Sequence, residues 1–152
     1  MSIAAVRPDS WNFPLLLHVL GAMVLVALLA VAAVVLSAAL RSDDRAAALR
    51  LAFRTLLIGA IPAYLVMRVG AEWVASKENL EDADVAWINI GYSVADGGLL
   101  VLIVMTVLAG LASRRAKRGG APSGLVRWAN GLALLLIVAY AVALWAMASK
   151  PT

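Results

Sequence analysis

Four long apolar runs, separated by three short polar stretches, organise this chain. The first, 13–40, carries no formal charge over 28 residues, enough to cross a bilayer with some tilt. Pro14 suits the first turn of a helix, where no backbone donor is needed, and Ser10 or Asn12 would cap it. The second run, 51–74, is less uniform. Its uncharged part, 55–67, has only 13 residues, so Arg54 and Arg68 must lie near opposite membrane boundaries. Pro62 removes one backbone donor and frees the carbonyl of Ile58, which predicts a kink near 59–62. The third run, 85–113, is interrupted only by Asp96; the fourth, 128–149, is uncharged. Trp11, Trp87, Tyr92, Trp128 and Trp145 are placed as interface aromatics. The pattern predicts an all-α fold: one domain over 1–152, an integral membrane bundle of four antiparallel helices running up-down-up-down.

Composition supports this class. The 152 residues are 64% hydrophobic and 14% charged, with mean hydropathy +0.93. A cleaved signal peptide at the first run is the competing expectation; its apolar core is too long and its flank lacks a basic cluster. The net charge of +4 argues for topology and anionic lipid rather than nucleic acid, because the basic residues flank apolar runs. Without cysteine there are no disulfides, thiolate metal sites or thiol chemistry.

The charge distribution also predicts sidedness. Arg41, Arg45, Arg50, Arg54, Arg114, Arg115, Lys117, Arg118 and Arg127, nine of the thirteen basic residues, fall on one side. Basic connections stay inside, so both termini and the acidic connection 75–84 are expected outside the cytoplasm, in a cell membrane. The segment 114–127 is expected to be a basic loop in contact with anionic lipid.

Candidate chemistry sits in the second and third runs. Tyr64, Arg68 and Glu72 recur every four residues and line one helix face. Asn89, Tyr92, Ser93 and Asp96 do the same on the next helix. Counting outward from the middle of the acidic connection sets Arg68 level with Tyr92, and Tyr64 level with Asp96. The expectation is a buried Arg68–Asp96 pair, the planar fork meeting one carboxylate, with Tyr64 donating a hydrogen bond. Losing Asp96 would then strand a buried guanidinium, at about 3–5 kcal/mol. His18 is expected at similar depth, facing the bundle because Gly21 and Ala22 let a helix approach. The candidate pocket is therefore His18, Tyr64, Arg68, Glu72, Tyr92 and Asp96.

Two readings of this pocket stand. One is structural: an ion pair locks hairpin register and His18 bonds a backbone carbonyl. The other is a site for a proton, a metal, a quinone-like molecule or a cofactor. No cofactor is predicted. Bis-histidine haem needs a second histidine, and the chain has one; Met23, Met67, Met105 or Met147 offers only a mixed pair. Glu78, Glu81, Asp82 and Asp84 lack calcium-loop spacing. Gly98, Gly110, Ala139 and Ala143 read as helix-packing positions.

The segment FPLLLHVLGAMVLVALL resembles the first helix of small bacterial membrane families with a Leu-His-Val-Leu-Gly-Ala signature, the copper-resistance D-type proteins among them. In metal- or haem-associated members that resemblance implies further histidines on later helices, which this chain lacks. The whole chain, with RVGAEWVASKE and DADVAWINIGY, looks like four-span proteins of high-GC Gram-positive bacteria, which implies a location and an architecture. Three functional classes follow: a non-enzymatic accessory or assembly protein, a proton-coupled or solute transport unit acting as a homo-oligomer, and a haem or metal redox protein using His18. The first is the primary expectation, within a homo-oligomer or a larger membrane complex.

Overall fold

A computed structural model of the chain describes residues 12–42, 44–78 and 85–149. Trp11, Ser10 and the 79–84 part of the acidic connection, all assigned roles above, lie outside the described residues. The helices are α1 (Asn12–Ala39), α2 (Arg45–Arg54), α3 (Ile61–Glu78), α4 (Ala86–Lys117) and α5 (Ser123–Ser149). A π-helical segment, Thr55–Ala60, joins α2 to α3, so the second span runs unbroken from Arg45 to Glu78. Four helices are thus long and apolar enough to cross a membrane. Among the described residues there is no strand.

Three of the boundaries that differ from those expected from hydropathy have a local reason. The second span starts at Arg45 rather than 51. The Asp44 carboxylate accepts from the Ala47 amide at 3.4 Å and caps a run of alanines with high helix propensity. The third span does not stop at 113: the segment expected as basic loop continues the helix through Lys117. Arg114, Arg115 and Lys117 occupy its last turn, where cations suit the negative end of the helix dipole. It ends at Gly119, whose φ of 75° turns the chain left-handed. The amides of Gly119 and Gly120 donate back to Ala116 and Arg115, at 3.1 and 3.0 Å, closing a Schellman motif. The fourth span begins at Ser123 instead of 128, with the Pro122 carbonyl accepting from Val126.

At the position of the expected kink the chain forms a wider helical turn. The amide of Ile61 reaches back five residues to the Leu56 carbonyl, and Pro62 follows with no amide to give. The packing changes across this turn. Below it, α2 packs against α4 and α1; beyond it, α3 packs along α1 and touches α4 only sparsely. The remaining seams are α4 on α5 and α1 on α5.

These seams are close because small residues line them. Gly21 and Gly70 mark the tightest crossing. A Cβ on Gly21 would lie 2.6 Å from the Met67 amide nitrogen, and one on Gly70 would lie 2.5 Å from that of His18. Buried alanines, Ala52, Ala60, Ala109 and Ala129 among them, sit between the larger Leu25, Leu29, Leu56 and Met105. Of the expected packing positions, Gly98 lies under Tyr140, Gly110 under Phe53, and Ala143 is buried. Outward faces stay apolar: Val34, Ile58, Leu100, Val138 and Leu144 are all exposed. A helix that is hydrophobic on every side suits a lipid environment.

Candidate functional site

Beyond the bend, α3 and α4 stand apart and are joined by side chains. Arg68 bridges them. Its Nη2 lies 3.1 Å from Asp96 Oδ1 on α4, and its Nη1 lies 2.9 Å from Glu72 Oε1, one turn along its own helix. The fork is therefore split between two carboxylates, where the spacing predicted a two-pronged grip on one. The guanidinium carbon also sits 4.7 Å from the centre of the Tyr92 ring, and the Tyr92 hydroxyl donates to Glu72 Oε2 at 3.3 Å. Counting residues along the two helices placed Arg68 beside Tyr92, and there they are.

One turn deeper, Tyr64 lies at the level expected but makes a different bond. Its hydroxyl donates to the Ala95 carbonyl at 3.2 Å, not to the Arg68–Asp96 pair. A carbonyl inside an α-helix retains a free lone pair, and a buried phenol needs an acceptor. Two helices that scarcely touch thus share a guanidinium bridge, a phenol–carbonyl bond and a phenol–carboxylate bond.

The expected burial of the pair is not what the fold provides. The Arg68 side chain is 26% exposed, but Asp96 is 63% and Glu72 52% exposed. α3 follows α1 and touches α4 only sparsely, which leaves the flank where α4 presents Asp96 uncovered. With one guanidinium and two carboxylates, the cluster carries a formal charge of −1.

His18 stands apart from these charges. Its Nδ1 is 3.1 Å from the Met67 carbonyl, across the tight Gly21–Gly70 crossing. The bond requires the proton on Nδ1. The structure thus joins Arg68, Glu72, Tyr92 and Asp96 in one network, sets Tyr64 beneath it, and holds His18 on the α1–α3 seam. Among the described residues, no three His, Asp or Glu side chains gather closely enough to hold a metal ion.

Tyr140 on α5 has no place in the sequence-based pocket but belongs to this region. It is 8% exposed, and its hydroxyl has no hydrogen-bond partner among the described residues. It lies 2.9 Å from where a Gly98 Cβ would stand, one turn beyond Ala95. The available signal was a lone hydroxyl in the middle of an uncharged run, facing a helix that carries glycine.

Comparison of the chain with protein-family models, with curated proteins and with solved structures finds no match.

Proposed function

We propose that this is a non-enzymatic multi-pass membrane protein, an antiparallel up-down-up-down bundle that serves as an accessory or assembly subunit. Its docking seam is the flank where α3 and α4 part. A single observation carries this reading: the Arg68 bridge is uncovered, with Asp96 63% exposed.

Depth makes that exposure consequential. A hydrocarbon core takes about 20 helical residues, and counting back from Ser113, next to the basic tail of α4, ends at Val94. Asp96 then lies just within the core. Exposed carboxylates at that depth are costly unless something polar covers them. A second copy of the chain would bring the same negative cluster, so like charges would meet. A partner helix carrying a cation or several hydrogen-bond donors is complementary.

Gly97 offers a direct test, because it borders Asp96 and a Cβ there meets nothing within 4 Å. A photoreactive benzoylphenylalanine at Gly97 should yield one discrete heavier adduct in native membranes. The same probe at Val34, on the lipid-facing side of α1, should yield none. An adduct of twice the chain's own mass would replace the partner with a second copy. No adduct at Gly97 would mean that lipid covers the flank, and the docking reading would fail.

A further inference from the structure

At the opposite, basic end of the bundle lies a cavity of about 260 Å³, where α1 ends and α2 and α5 begin. Two guanidinium groups from separate elements line it, Arg45 at the start of α2 and Arg127 one turn into α5, together with Ser123. Its remaining wall is apolar, including Leu40 and Val126. From these features we infer that the cavity binds a phosphate ester, and that the ester is the headgroup of an anionic membrane lipid. This does not depend on the docking role of the opposite end.

The chemistry converges from several directions. Arg45 spends its Nε on the Ser42 carbonyl, at 3.0 Å, a bond that orients the side chain and leaves its two terminal amino groups for a ligand. Guanidinium groups match phosphate oxygens in pairs. The first-turn amides of α5 lack intrahelical acceptors and add to the positive potential. The choice of lipid follows from the lining: two arginines beside the apolar Ala39, Leu40, Pro122 and Val126 suit a molecule whose phosphate continues into glycerol and acyl chain.

The experiment uses the full-length protein in detergent, titrated with dioleoylphosphatidylglycerol and followed by native mass spectrometry. The wild type should retain one lipid. Arg45→Gln/Arg127→Gln should bind it at least about tenfold more weakly, since two charge-assisted contacts are lost. Ser123→Glu should weaken it similarly while leaving the fold intact, because an acid suits the first turn of a helix. Arg114→Gln/Arg118→Gln removes the same charge from the same end without touching the cavity, and should retain the lipid within about twofold if contact rather than bulk charge decides. Equal losses in both double variants would overturn the site in favour of a diffuse basic surface. Unchanged retention in Arg45→Gln/Arg127→Gln would overturn it outright. Displacement of the lipid by millimolar inorganic phosphate would overturn the lipid assignment and leave a soluble phosphate ester as the ligand. Resistance to displacement supports the lipid.

Discussion

At the scale of single residues, the instructive group is Arg68, because its two partners share one job. Each carboxylate takes one arm of the fork, so neither is indispensable while the other remains. Had Asp96 been the sole partner of a buried guanidinium, its removal would leave an uncompensated charge. With Asp96 mostly exposed and Glu72 in place, Asp96→Ala should cost only about 1 kcal/mol or less. Glu72→Ala should cost a similar amount, with the Tyr92 bond lost as well. The double variant should be worse than the sum of the two, by about 1–3 kcal/mol, because only then is Arg68 left without a counter-charge. Unfolding in detergent, followed by circular dichroism across the four proteins of this cycle, measures that excess. Strict additivity would show that lipid headgroups or water already satisfy Arg68. The residues of this network were legible in the sequence because helical periodicity fixes which side chains share a face. Its exposure was not, since periodicity within each helix says nothing about the gap between two helices.

At the scale of elements, that gap comes from the second span. Past the π segment and Pro62, α3 leaves α4, and the Gly21–Gly70 crossing packs it on α1. The atoms opposite both glycines are backbone, which cannot swing aside. Gly70→Ala should therefore destabilise the protein by about 1–3 kcal/mol and lengthen the His18–Met67 bond. Gly131→Ala, on a helix face with nothing within 4 Å, should instead stabilise by about 0.4–1 kcal/mol. Thermal unfolding of the two variants in one detergent should show shifts of opposite sign. A neutral Gly70→Ala would mean that α1 and α3 separate without cost and that the crossing does not hold the bend. Proline marked the kink in the sequence, but not which neighbour the bent helix would follow. The helix ends were misplaced for a related reason. Hydropathy reports where the apolar run ends, whereas Asp44 and Gly119 decide where the helices begin and end, several residues beyond it. Charges at 45–50 and 114–117 were thus compatible with helix throughout.

At the scale of the whole molecule, the two ends differ in chemistry, and their sidedness decides what each can meet. Basic side chains crowd one end, around the arginine-lined cavity, while the other holds the negatively charged Arg68 network. If basic connections stay inside the cell, as the charge distribution predicts, the cavity lies at the inner leaflet, where anionic lipid gathers, and the seam in the outer half. This assignment makes the two proposals mutually consistent, because an anionic-lipid site is of most use on the leaflet richest in such lipid. Since the chain contains no cysteine, single cysteines can be introduced without background. Ala121→Cys reports on the connection between α4 and α5, and Asp82→Cys on the acidic one. In intact cells a membrane-impermeant maleimide should label the cysteine at 82 and leave that at 121 untouched until the membrane is permeabilised. The opposite pattern would invert the molecule: the seam would then face partners from within the cell, and the arginine-lined cavity would lie among outer-leaflet lipids, where a phosphate headgroup of net negative charge is scarcer. Labelling therefore tests more than orientation, because an inverted molecule would keep every contact described above and lose the reason for pairing each end with its proposed ligand.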